Sequence, residues 1–335
     1  MASIAVVGQG LAGTLLAWQL ERSGADFRVF DSGHGAAASR VAAGIVNPVT
    51  GQRLARTWRF EELAPPAREI YREIGRALGI PLWHDRRVRR RFRNGAERAL
   101  WATRQARGEL VPFAGAADGD GFWIEGAAHV DVAALLTATR DRWRRAGRLV
   151  EGPADIARLQ ERHELVILCT GAALRAEPWF VRLPWAVAKG EMLVLDAAGL
   201  APEVILNCGH WLLPLGGDRA KVGATYAPGR DDLVPEPAAR AELERSAAAL
   251  LERNFSVRAH EVGLRLGLPD KRPVAGRCPG APGLAVLGGL GSKGVLLAPW
   301  LARQWLDHLS AGTPFDPAVD VARFWPDPAG VRKIM

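Results

Sequence analysis

The sequence predicts an α/β fold in two parts: a parallel sheet flanked by helices, interrupted by an inserted antiparallel sheet. Three features carry this. Residues 4–31, IAVVGQGLAGTLLAWQLERSGADFRVFD, read as a strand, a glycine turn, a helix and a second strand. Uninterrupted apolar runs at 165–168 and 284–287 each pass into glycine, the pattern of strands buried on both faces. Segments 191–196, 203–206, 211–215 and 220–226 instead alternate apolar and polar residues, with turn signals such as Gly216-Gly217-Asp218.

The N-terminal unit is the most specific of these. Gly8, Gly10 and Gly13 form a Gly-x-Gly-x-x-Gly turn between strand and helix. The first glycine permits the tight turn, the second lets backbone approach a pyrophosphate, and the third allows close helix–strand packing. The helix N-terminus at Leu11 and Ala12 offers N–H groups and a positive dipole end to phosphate. Asp31, at the end of the second strand, is placed to accept a ribose hydroxyl. The unit therefore predicts dinucleotide binding, with NAD and FAD both open; a glycine turn without a ligand is the alternative.

Further along, apolar spacing predicts helices at 61–79, 131–146, 238–254 and 294–311. The arginine-rich run 86–93 alternates, with Val88, Arg90 and Phe92 on one face. Asn94-Gly95 then signals a hairpin or turn. Two readings of the run stand: a solvated face of an edge strand, or a phosphate-backbone contact. Parallel-sheet signals fall at the N-terminus, around 125–175 and beyond 260. Residues 1–60, 125–185 and 259–335 are accordingly assigned to a discontinuous nucleotide domain, and 61–124 and 186–258 to a substrate domain.

Composition narrows the class. The chain has 335 residues, 48% hydrophobic and 24% charged, which suits a globular protein of two domains. No apolar run approaches the roughly 18 residues of a membrane span. The first strand begins at Ile4, which leaves no room for a signal peptide. Cys169, Cys208 and Cys278 are widely spaced, arguing against a disulfide framework and a zinc site and for the cytoplasm. The net charge is +8 and is carried mostly by arginine. No Ser/His/Asp or paired-carboxylate constellation stands out.

Several segments, in collinear order, resemble the D-amino-acid oxidase superfamily of FAD-dependent oxidoreductases. The similarity is to glycine oxidase and to the FAD domain of the bifunctional enzyme that matures 5-methylaminomethyl-2-thiouridine in tRNA. The carriers are the N-terminal glycine turn, Ser39-Arg40-Val-Ala-Ala43-Gly44 with Pro48, and Thr170-Gly171-Ala172. They continue with Lys189-Gly190-Glu191, Val222-Gly223-Ala224-Thr225, Gly263-Leu264-Arg265 and Gly288-Gly289-Leu290-Gly291-Ser292-Lys293-Gly294-Val295. The resemblance implies a glutathione-reductase-type, Rossmann-like FAD domain with an inserted antiparallel-sheet substrate domain.

It also implies FAD held non-covalently, because Cys278 is not at the attachment position of sarcosine oxidases. By resemblance the cofactor residues are Gly8, Gly10, Leu11, Ala12, Gly13, Asp31, Ser39, Arg40, Ala43, Gly44, Thr170, Gly171, Gly289, Gly291, Ser292, Lys293, Gly294 and Val295. A flavin oxidising an amine needs positioning and a cation for the substrate carboxylate rather than acid–base machinery. Arg265 is the implied carboxylate anchor, with a structural ion pair as the alternative. Tyr226 either lines the substrate cavity or fills the core. Lys293 adds positive charge at the helix start near the reduced flavin. His210 is a weaker cavity candidate. Arg53, Arg56 and Arg59 are either further anchors or solvated charges.

The expected reaction is hydride transfer from the C–N carbon of an amino acid or secondary amine to flavin N5, giving an imine that hydrolyses, with O2 as acceptor. Alternatives are a tRNA wobble-uridine enzyme removing a carboxymethyl group, which Gly-Ser-Lys-Gly favours, a non-catalytic flavin-binding protein, and a nicotinamide dehydrogenase.

Overall fold

The computed structural model describes residues 3–33 and 37–325. Parts of the expected domain segments 1–60 and 259–335, namely 1–2, 34–36 and 326–335, lie outside the described residues. In chain order the elements begin β1 (Ile4–Val7), α1 (Leu11–Arg22), β2 (Phe27–Asp31), α2 (Ala38–Val41), β3 (Ile45–Val46), β4 (Val49–Thr50) and β5 (Ala55–Arg56). Next come α3 (Phe60–Leu78), β6 (Trp83–Arg91), α4 (Gly95–Ala106), β7 (Ala114–Asp118), β8 (Gly121–Val130), α5 (Val132–Arg145), β9 (Leu149–Glu151), α6 (Ile156–Arg162) and β10 (Leu165–Leu168). The second half holds β11 (Ala186–Asp196), β12 (Val204–Cys208), β13 (His210–Gly216), β14 (Arg219–Gly223), β15 (Ala227–Pro228) and α7 (Pro237–Leu251). It closes with β16 (Ser256–Gly267), β17 (Val274–Cys278), β18 (Ala281–Gly288) and α8 (Gly294–Ala311).

The chain divides into two compact units: residues 1–40, 135–187 and 265–335, and residues 41–134 and 188–264. In the first unit a six-stranded sheet runs β17-β18-β10-β1-β2-β9. The pairs β18/β10, β10/β1, β1/β2 and β2/β9 are parallel, and β17 is antiparallel to β18. Every residue of β1 and β10 is buried, which accounts for their uninterrupted apolar sequence. Helix α1 is buried from Leu11 to Leu20 and packs on α8. Val7, Val166, Val286 and Leu174 centre the core on one face of this sheet.

The second unit is built on a ten-stranded sheet with the order β15-β11-β14-β13-β12-β6-β8-β3, while β16 pairs with β11 and β7 with β8. All its registered pairs are antiparallel except β12/β6, which join two distant segments of chain. Segment 41–60, expected with the nucleotide domain, falls in this unit, because Ile45 and Val46 pair with His129 and Ala128 of β8. Residues 125–134 fall here too, as β8 belongs to the same sheet.

Two expectations fail here. The arginine run is not an edge strand: β6 pairs with β8 on one side and β12 on the other. Asn94-Gly95 does not make a hairpin. Asn94 caps α4, its Oδ1 accepting the Glu97 N–H at 3.0 Å. The cap wins because Glu97 is needed one turn later, where it pairs with the buried Arg90 and bonds Arg93. The alternation itself holds: Val88 and Arg90 face inward at 1% and 5% exposure. The predicted strand 220–226 ends at Gly223, after which the chain turns off the β14 ladder.

Candidate flavin and substrate site

At the carboxyl ends of β1 and β10 the glycine turn is a close-packed cradle. Gly8 has φ +99°, and a Cβ there would lie 2.7 Å from the Cys169 carbonyl oxygen. A Cβ on Gly13 would lie 1.9 Å from the Gly8 carbonyl oxygen, so no side chain fits at either position. Gly10 caps α1 without a side chain to occupy the leading N–H groups, leaving that helix end suited to phosphate. Ser39 of α2 reaches this turn, its Oγ accepting the Leu11 N–H at 3.1 Å. Thr170, directly after β10, has a buried Oγ1 with no partner among the described residues. The structure thus brings Gly8, Gly10, Leu11, Ala12, Gly13, Ser39, Thr170 and Gly171 to one edge of the sheet.

Asp31 is held in place as well as present. Its Oδ2 accepts the Gln9 N–H at 2.7 Å, and its Oδ1 accepts the Gly33 N–H and Arg140 Nη1, each at 2.8 Å. Arg140 also donates to Gln9 Oε1 at 2.7 Å and to Glu151 at 2.9 Å. Beside these groups lies a cavity of about 110 Å³ lined by Gln9, Asp31, Gly33, Ala37, Arg40, Leu136 and Arg140. Of this lining, Asp31 and Arg40 were expected from the sequence, and Gln9 and Arg140 were not. The Arg140–Asp31 contact spans 109 positions, and no local pattern announces it.

A second group lies at the other end of the same sheet edge. The Gly291 N–H donates to the Leu266 carbonyl at 2.8 Å, which docks the 289–294 turn beside Arg265 on β16. A Cβ on Gly294 would meet Leu11 Cδ2 at 3.3 Å, linking this turn to the start of α1. Lys293 sits at the N-terminal cap of α8, and its carbonyl accepts the Leu296 and Leu297 N–H groups at 3.0 Å. Burial pushes its ammonium down to about 8. Arg265, Gly289, Gly291, Ser292, Lys293, Gly294 and Val295 are therefore neighbours in the fold.

Tyr226, Ala43 and Gly44 belong to the second unit. Gly44 has a packing reason of its own: with φ +65°, its Cβ would lie 2.0 Å from the Val130 carbonyl oxygen. Tyr226 is 69% exposed, so the core alternative for it is excluded. His210 lies 3.2 Å from Glu242, and Arg56 and Arg59 pair with Glu61 and Glu62. Cys278 is buried on β17.

A parallel sheet with a side-chain-free cradle at its carboxyl edge defines a dinucleotide-binding protein. The chain belongs to the FAD dependent oxidoreductase family, whose model matches residues 3–307. It is an FAD-dependent enzyme, and the cradle fits that cofactor: α1 starts at a glycine that carries no side chain into the phosphate position, and Asp31 and Thr170 offer polar atoms. The chain is 28% identical to glycine oxidase of Pseudomonas aeruginosa, over 94% of this chain and 97% of that protein. It is 29% identical to the bifunctional tRNA 5-methylaminomethyl-2-thiouridine biosynthesis protein of Maricaulis maris, covering 93% of this chain but 52% of that one. Among solved structures, iminodiacetate oxidase from Chelativorans sp. BNC1 matches with a TM-score of 0.75 at 20% identity, over 93% of this chain and 96% of the other. Glycine oxidase from Geobacillus kaustophilus also gives 0.75 at 20% identity, over 97% and 98%. At that identity the likeness establishes the fold. Among the described residues, no helix is long and apolar enough to cross a membrane.

Proposed function

We propose that the protein oxidises the C–N bond of an amino acid or secondary amine, giving an imine that hydrolyses, with O2 as the electron acceptor. FAD, when bound, supplies the two-electron acceptor for the hydride. The observation that carries this reading is the 2.8 Å backbone bond from Gly291 to Leu266, which lays the turn leading to Lys293 and the start of α8 against β16 one residue from Arg265. In this reading the Arg265 guanidinium anchors the substrate carboxylate and so fixes which C–H is presented. Lys293 and the start of α8 place positive potential where negative charge gathers during reduction. Gly8, Gly10, Gly13, Asp31, Ser39, Arg40 and Thr170 hold the adenosine and pyrophosphate half. Tyr226 lines the substrate side.

The test is anaerobic mixing of the yellow holoenzyme with amino acids and with N-methyl or N-carboxymethyl amines, followed by flavin absorbance. Bleaching by a carboxylate-bearing amine is expected, with the flavin absorbance returning on admission of air as O2 takes the two electrons and forms hydrogen peroxide. Arg265→Lys keeps the charge but loses the planar fork, so kcat/KM falls about 10- to 100-fold, the equivalent of one charge-assisted hydrogen bond. If no amine bleaches the flavin, the reading is wrong.

The relation to the bifunctional tRNA protein favours a second reading, removal of a carboxymethyl group from a wobble uridine. The arginine run weakens it. Arg87 pairs with Glu125 at 2.6 Å, Arg89 with Asp120 at 2.8 Å and Arg91 with Glu252 at 2.7 Å, so these cations are already matched. Salt-sensitive tRNA binding would restore it.

A further inference from the structure

The second unit carries a buried charged cluster that the proposed chemistry does not use. Lys189, on β11, is 1% exposed, yet all three of its ammonium hydrogens are engaged. They go to Asp232 Oδ1 at 2.8 Å, to Glu236 Oε1 at 3.0 Å and to the Val234 carbonyl. All three acceptors lie in the connection between β15 and α7. Arg230 closes the arrangement from outside, with Nη2 2.8 Å from Asp232 and 2.9 Å from Glu236. Two residues along β11, Glu191 Oε2 accepts the Glu236 N–H at 3.0 Å, with His260 Nε2 2.7 Å from the same oxygen.

Tyr226 sits between two further tethers to this stretch of β11. On one side the Glu191 N–H donates to Thr225 Oγ1 at 2.9 Å, and the Thr225 N–H to the Glu191 carbonyl at 3.1 Å. On the other, β15 pairs Ala227 with Lys189 and Pro228 with Ala188. The segment nonetheless turns apolar groups outward: Tyr226 is 69% exposed, Leu233 43% and Val234 67%. Such side chains do not hold a connection against a sheet by burial, so the hold falls to the charges beneath. Burial opposes the Lys189 charge, but its bonds to Asp232 and Glu236 raise its pKa, and Lys189 and Arg230 keep Asp232 below the usual carboxylate range.

We propose that Lys189 is a positioning residue, which fastens the 229–236 connection to β11 and thereby sets the pose of Tyr226. The inference rests on the reading of Tyr226 as a substrate-side residue. Its effect is on substrate capture: with the strap released, Tyr226 keeps its Thr225 tether but is held on the other side by the two-residue β15 alone, so its pose loosens and binding weakens, while the reduction step of bound substrate is unchanged.

The chain has two tyrosines, and the other, Tyr71, is fully buried, so 3-fluorotyrosine labelling of the holoenzyme reports Tyr226 by itself in the 19F spectrum. In Lys189→Met the Tyr226 resonance is expected to move toward the solvent-averaged position while that of Tyr71 stays. Lys189→Arg should restore much of the native shift. KM for the fastest-reducing amine of the anaerobic panel rises about tenfold, with kcat within about twofold and flavin content unchanged. If Lys189→Met disturbs Tyr71 as well, the Asp232→Asn/Glu236→Gln double variant carries the test. An unmoved Tyr226 resonance overturns the clamp. A released resonance with unchanged KM overturns the positioning role. Failure of every amine to reduce the flavin instead strikes the functional reading, and the 19F result distinguishes the two.

Discussion

Lys293 shows how much of a residue's chemistry its neighbourhood decides. In sequence it is a cation between Ser292 and Gly294; in the fold, burial lowers its pKa from 10.5 to about 8. Between those values the unfolded chain binds the extra proton, so folding stability rises with pH across the window. In Lys293→Met that rise disappears, which denaturant unfolding of the apoprotein at about pH 7, 8.5 and 10 would register as a flatter profile. A wild-type slope retained in the variant would mean that the charge is lost elsewhere. Asp31 teaches the complementary lesson. Its place at the end of β2 was legible from the strand–turn–helix–strand pattern, but the clamp by Gln9 and Arg140 was not. Arg140 comes from α5, and only the packing of that helix on the sheet brings the two together.

At the scale of elements, periodicity located the long helices well, since α3, α5, α7 and α8 lie close to the predicted spans. Capping was harder to read. Asn-Gly signals a type I′ hairpin where two strands follow one another, but here the next residues form α4. What distinguishes the cases is Glu97, whose buried carboxylate bonds the Arg93 N–H at 2.9 Å and pairs with Arg90. Burial raises its pKa, but those bonds outweigh it and leave the carboxyl below its ordinary value. Asn94→Ala removes the cap and is expected to cost about 1 kcal/mol, against a few tenths for Asn94→Gly, measured by urea unfolding of the folded protein. An alanine variant as stable as wild type would show that Glu97 alone anchors the helix start.

For the whole molecule, the cradle couples stability to cofactor. FAD that binds only the folded chain stabilises it by about 2.7 kcal/mol at a hundredfold excess over Kd. Apoprotein is therefore expected to melt below the holoenzyme, with Tm rising as FAD is added back. A Tm indifferent to FAD would contradict the assignment of the Gly8–Gly13 cradle. The interleaving of two units was visible in outline, because buried parallel strands and half-buried antiparallel ones differ in pattern. Segment 41–60 escaped that logic: β3 is two residues long, and its sheet is decided by a partner, β8, far along the chain.

By itself the sequence determined the nucleotide-binding turn and the two kinds of sheet, because each is written in local spacing: glycines where no Cβ fits, and apolar period matched to burial; the family showed in the resemblance of several collinear motifs. Tertiary structure alone decided which charges face one another. The Arg140–Asp31 clamp, the Gly291–Leu266 bond beside Arg265 and the Lys189 cluster each join residues from separate segments of chain. Charge pairing depends on distance in space, and long-range packing leaves no periodic trace in the order of residues.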